Sequence, residues 1–230
     1  MNRRPSWPIV AGLVFMLALG VAACGTGPET GSVQVVMTRT ASTAASVSPA
    51  FSLDSGTGDV ALEDVESIRL TLVRVDLKPS ASPEDDSEAD DESDADESGE
   101  WIRLDVPVGT TIDLLALPSV GGQGVAEGEV TATTFKEVRL VCGGPAMMRL
   151  RTPVVVNGGQ IIGDDESLEQ PLRIPSCESS GLKIKGATFR VPADGEAVAT
   201  IELSTDAAIR SIEWNAQGFR MNPVMRLKRN

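Results

Sequence analysis

A chain of 230 residues with 33 acidic and 20 basic side chains carries a formal charge of −13. Such an excess keeps a surface soluble and repels nucleic acid and anionic lipid headgroups, and with no basic, aromatic-studded stretch in the sequence no nucleic-acid partner is expected. Histidine is absent, which excludes Ser-His-Asp and Cys-His catalysis, imidazole zinc sites and a histidine general base; tyrosine is absent too, which leaves few rings on which to stack a sugar.

The chain opens with "MNRRPSWP", carrying Arg3 and Arg4 and no acid, followed by an apolar or small-residue run from Ile9 to Ala23. A charged start and an apolar run of ~7–15 residues form the layout of a secretory signal, whereas a permanent span needs about 20. "Val21-Ala22-Ala23-Cys24" resembles the lipobox of bacterial lipoprotein precursors. The resemblance implies cleavage before Cys24, a diacylglyceryl thioether on its sulfur and acylation of the new amino group. Small side chains admit the backbone to a peptidase, and only a thiol can carry the thioether. The alternative, a plain signal peptide with an incidental cysteine, fits the tether "GTGPETGS" less well. Residues 1–23 are therefore expected to be a lipoprotein signal peptide, 24–31 a lipidated tether and 32–228 a single domain. Two or three acyl chains, at ~0.8 kcal/mol per buried CH₂, hold a protein on a bilayer. The expected location is an exported, lipid-anchored one. Gly25 stands where an aspartate often retains lipoproteins at the inner membrane, which favours the outer membrane in a Gram-negative cell.

Beyond the tether, short alternating segments predict strands. "SVQVVMTR" sets Val33, Val35 and Met37 on one face. Residues 40–59, rich in Ser, Thr, Ala and Gly, read as a long disordered loop. In "ESIRLTLVRVDL" an inward set of Ile68, Leu70 and Leu72 changes phase to Val73, Val75 and Leu77, which predicts a β-bulge near Leu72–Val73. A second disordered loop is expected at 80–99, where ten acids fall within residues 84–97 and repel one another. "FKEVRLVC" places Val138, Leu140 and Cys142 together, with Glu137 and Arg139 opposite. "VATIEL" and "GFRMNPVMRL" close the chain in the same style; "STDAAIRSI" alone has room for a helical turn. Gly and Pro clusters separate the segments. The pattern predicts an all-β fold, an antiparallel β-sandwich of Ig-like or transthyretin-like kind or a partly open barrel.

After lipidation two cysteines remain, Cys142 and Cys177. In an oxidising compartment an even pair reads as a disulfide; two separate buried thiols are the alternative. "Ser180-Gly181-Leu182-Lys183" formally matches S-x-x-K, but that motif works on a helix and this segment reads as a strand, where residues three apart face opposite sides. No catalytic residue is nominated and no enzyme is expected. "Asp94-Ala95-Asp96-Glu97-Ser98-Gly99", with Asp105 eleven residues after Asp94, resembles a calcium loop, whose ligands fall at positions one, three, five and twelve with glycine at six. Asp94, Asp96, Ser98 and Asp105 are thus weak calcium candidates. An aspartate replaces the bidentate glutamate and strands replace the flanking helices, so a solvated acidic hairpin loop stands ahead and no cofactor is expected.

The marks "VESIRLTLVRVDL", "GEWIRL", "IDLLAL", "FKEVRL", "PLRIPS", "SGLKI" and "NPVMRL", in that order and behind a lipobox, resemble a bacterial lipoprotein family known as domain of unknown function 4382. The resemblance spans about Gly31 to Leu227. It implies an all-β sandwich on a cell envelope and brings no established catalytic residues. Two departures stand out: the acidic insertion, and Phe135, where an aromatic hydroxyl residue is common. The expected role is binding or structural, with the membrane and an unidentified envelope protein or glycan as partners. A calcium-responsive adhesion module using the acidic loop is the alternative, ahead of an envelope hydrolase.

Overall fold

The computed structural model describes residues 28–40, 60–80, 100–156, 159–164 and 167–229. The segment expected to be a signal peptide, with Cys24, most of the 40–59 and 80–99 stretches, and with them Asp94, Asp96 and Ser98, lie outside the described residues. The all-β expectation holds. The described chain forms fifteen strands with one short 3-10 turn, Leu62–Asp64, and one helix, α1 (Thr205–Arg210), drawn from "STDAAIRSI". Among the described residues no helix is long and apolar enough to cross a membrane.

Strand β2 (Val65–Pro79) is the spine of the molecule. Its inward residues Ile68, Leu70 and Leu72 are buried, and further along Val75 and Leu77 are buried in the opposite phase. The bulge lies where the slip predicts it, with the register breaking between Leu72 and Arg74. Val73, which alternation assigns to the second inward set, is the extra residue and stands 57% exposed. The two halves of β2 serve different neighbours. The first pairs with β4 (Thr111–Asp113) and β7 (Ala146–Leu150), the second with β3 (Ile102–Leu104) and β6 (Thr134–Cys142).

From β7 the first layer continues through β10 (Glu169–Arg173) and β14 (Gly218–Arg220) to β13 (Glu213–Asn215). From β6 the second continues through β11 (Leu182–Arg190), β15 (Met225–Lys228), β12 (Glu196–Leu203) and β1 (Thr30–Arg39) to β5 (Gln123–Thr131). There Glu127 N–H donates to Asp105 O at 3.3 Å, bridging β5 to the residue that follows β3. The second layer thereby closes on itself, and the two layers enclose one apolar cluster running from Val33 to Leu227. A hairpin of β8 (Val154–Val156) and β9 (Gln160–Ile162) forms a separate two-stranded sheet.

The fold is sandwich-like, but its sheets are mixed rather than purely antiparallel. β1 runs parallel to β12, β10 to β14 and β11 to β15. No hairpin dictates the direction in which strands so far apart in sequence meet. Phe135 is wholly buried and stacks on Phe189 with ring centroids 5.4 Å apart. At that depth an aromatic hydroxyl would require a partner, and phenylalanine removes the requirement.

Cys142 and Cys177 come to disulfide distance, with Cα atoms 5.2 Å apart, and Cys142 N–H donates to Cys177 O at 2.8 Å. Their separation of 35 residues corresponds to about 3–4 kcal/mol of stabilisation in the chain-entropy model. The Cys142→Ser/Cys177→Ser variant is expected to lose that amount in urea unfolding, and a loss below about 1 kcal/mol would show that the pair is not bonded. Gly186 carries a second test. Its φ is +149°, and a Cβ there would lie 2.5 Å from Leu227 O, on the parallel contact between β11 and β15. Gly186→Ala should cost on the order of 2 kcal/mol or more, read from the urea midpoint.

Candidate functional site

The outward positions of β3, β2, β6 and β11 form a charged face whose order follows from register. Asp76 lies opposite both Arg103 and Arg139, and Arg139 lies opposite Lys183, so four charged residues cross four strands in one row. The next row toward Pro79 holds Lys78, Glu137 and Lys185. Every second residue of a strand points the same way, which is why Asp76 and Lys78, or Lys183 and Lys185, share this face.

Depth divides the charges by sign. The Asp76 side chain is only 3% exposed, and its Oδ2 accepts from Arg139 Nε at 2.8 Å, with Arg139 Nη2 at 2.7 Å. Arg74 Nε lies 3.1 Å from the same oxygen, and Arg103 Nε 3.9 Å from Oδ1. Glu137 is also buried, and its Oε1 has no hydrogen-bond partner. Above these two carboxylates stand cations, with Arg103 68% exposed and Lys183 and Lys185 exposed. Trp101 lies over Arg139, with Cζ 4.1 Å from the ring centroid, and Lys78 Nζ is 5.8 Å from the same ring. Asp76 and Trp101 thus hold Arg139 from two sides. The outer side of the first layer differs, because its exposed charges sit in mixed pairs, Arg149 with Glu66 at 2.9 Å and Arg69 with Glu169.

Acids resume beyond β3. Asp105 lines a groove of about 570 Å³ with Glu127, Glu129 and Glu196 across β5, β1 and β12. Among the described residues, no group of three His, Cys, Asp or Glu side chains is placed to hold a metal ion. Asp105 is thus set among acids of other strands, while its three companions in the calcium pattern lie outside the described residues.

A cleft of about 840 Å³ near α1 is lined by Arg39, Glu63, Asp113, Arg151 and Thr205 among others. Its Asp113 is occupied structurally, because Oδ1 accepts from Ile68 N–H at 3.2 Å and Leu115 N–H at 3.0 Å. Ser180 lies in a turn and Lys183 on β11, so the formal S-x-x-K forms no helical pair. The Asp76–Arg139–Trp101 cluster escaped sequence reasoning. The available signal was the run of alternating charges in "RVDLK" and "KEVR", which specifies a polar face but not which acids sink beneath it.

The chain belongs to the family described as Domain of unknown function (DUF4382), whose model matches residues 57–223. No curated protein and no solved structure matches it.

A buried carboxylate shared by several arginines is costly to break from one side, about 3–5 kcal/mol. Asp76→Asn is expected to destabilise the protein by that order in urea titration and to shift Trp101 emission as Arg139 loses its anchor. Adding Arg139→Met to Asp76→Asn should recover part of the loss; a purely additive double variant would show that the two side chains are not coupled.

Proposed function

We propose that this protein is a non-catalytic binding domain, exported and tethered to a bacterial membrane by lipid on Cys24, that presents the face of β3, β2, β6 and β11 to an envelope partner. The observation that carries the reading is the layering of that face, with Asp76 and Glu137 sunk into the sheet and Arg103, Lys183 and Lys185 exposed above them. On a chain of net charge −13 this is a local reversal of sign. Cations set at regular strand positions on a sheet suit recognition, whereas the absence of histidine leaves acid–base turnover to groups that here support structure. The lipid tether rests on the Arg-led apolar run and the Val21–Cys24 pattern.

The two halves of the reading are tested separately. Intact mass of membrane-extracted protein should show acyl chains on a chain beginning at Cys24, and Cys24→Ser should leave the membrane fraction unlipidated and uncleaved; a mature mass without added lipid overturns the anchor. Photo-crosslinking in cells from a probe beside Lys183 should give adducts that Arg103→Glu/Lys183→Glu abolishes while lipidation stays unchanged. Identical adducts from both proteins would remove this face as the contact surface.

A further inference from the structure

The cationic face points to a particular chemistry of partner. We infer that it binds an extended polymer bearing phosphate groups, an inference that rests on the face being the contact surface proposed above. Arg103 on β3 and Lys183 on β11 are the ends of a row that spans three strand spacings, which is about 14 Å. Lys183 and Lys185, two residues apart on β11, are separated by about 7 Å along the strand. Cations spread at such intervals do not converge on one small anion. They match a chain that presents a negative charge again and again. Guanidinium and ammonium groups both donate well to phosphate oxygens. The two acids of the patch, at 2% and 5% exposure, are withdrawn from the surface that such a chain would touch.

Two features favour a polymer over an anionic bilayer. The face lies along the side of the closed layer, while the chain enters at its end, where Asp194 N–H donates to Thr30 O. That end carries Glu29, Asp194 and Glu196, the last opposite Ser32 in β1. A bilayer approached by that end meets these three carboxylates beside the guanidinium of Arg190, which lies opposite Thr134 at the start of β6. The acid-lined groove beyond Asp105 also repels a polyanion; with a Debye length of about 10 Å at 0.1 M salt Glu129 and Glu196 farther round the layer are screened, while Asp105, two residues from Arg103, bounds the path such a chain can take.

The experiment uses full-length protein in non-ionic detergent, linear polyphosphate on beads, neutral glucan beads and phosphatidylglycerol vesicles. At ~0.1 M salt polyphosphate should retain the wild type and release it by ~1 M salt, as counterion-linked contacts do. Arg103→Glu/Lys183→Glu/Lys185→Glu should weaken retention at least about tenfold, and the three opposite conservative changes, Arg103→Lys/Lys183→Arg/Lys185→Arg, should preserve it. Passage of the wild type through the polyphosphate column overturns the inference, as does equal retention of the Glu variant. Binding to vesicles with none to polyphosphate overturns the polymer. A variant with the acids of residues 84–97 changed to their amides settles self-occupation: binding by that variant alone overturns an external polymer as the occupant. Failure on every matrix, with crosslinks beside Lys183 still dependent on the face, removes the phosphate polymer and leaves the proposed function standing. Loss of both removes the two together.

Discussion

One phase slip in one strand underlies the architecture. A regular strand can bury only every second side chain against one layer. β2 must meet two layers, and the bulge at Leu72–Arg74 lets Ile68, Leu70 and Leu72 face inward in the first half and Val75 and Leu77 in the second. Were β2 regular through Leu72–Arg74, with Val73 taking its turn in the alternation, Val75 and Leu77 would point outward and Asp76 inward, away from Arg103 and Arg139 on the neighbouring strands. The apolar closure of the fold and the charged face on its surface therefore share a single cause.

The charged face illustrates how sheet geometry sorts like from unlike without any net preference in composition. Outward positions on neighbouring strands lie about 4.8 Å apart, so an acid between arginines can sink while the longer cations around it lay their stems on the sheet and reach past it toward water. Arg139 is fixed on one side by Asp76 and on the other by Trp101. Burial of the carboxylates is what leaves the outer surface cationic. The net charge of −13 is thus a poor guide to the field felt by a partner that touches only these four strands.

Much of the fold is legible in the sequence because alternation is a local property. The inward sets of β1, β2 and β6, the bulge and the helical turn after Leu203 all lie within short windows of chain. Pairing is not local, so the parallel contact of β1 with β12 and the bridge of Asp105 to Glu127 leave no mark in either segment. The cysteine pair is legible by count, and the structure brings the two residues to disulfide distance. The candidate site is least legible. Asp76 and Arg139 are 63 residues apart, and each reads as an ordinary solvent-facing charge until the register sets them side by side. Glu137 likewise reads as exposed by alternation, yet it is buried between Lys78 and Lys185 of the adjoining strands. Acidic density alone marked the stretch around Asp94, and density carries no geometry.

The place of β1 within the second layer has a mechanical consequence. It lies between β12, parallel along eight residue pairs from Ser32 to Arg39, and β5, antiparallel on its other side. Tension entering the domain at Thr30 runs along the strand axis, so both ladders are loaded in shear and many hydrogen bonds share the force at once. A strand at a sheet edge pulled crosswise would instead open one bond at a time, like a zipper. The first strand is therefore mechanically the strong way into the domain, since a pull at Thr30 is shared across both ladders while the core behind them stays closed.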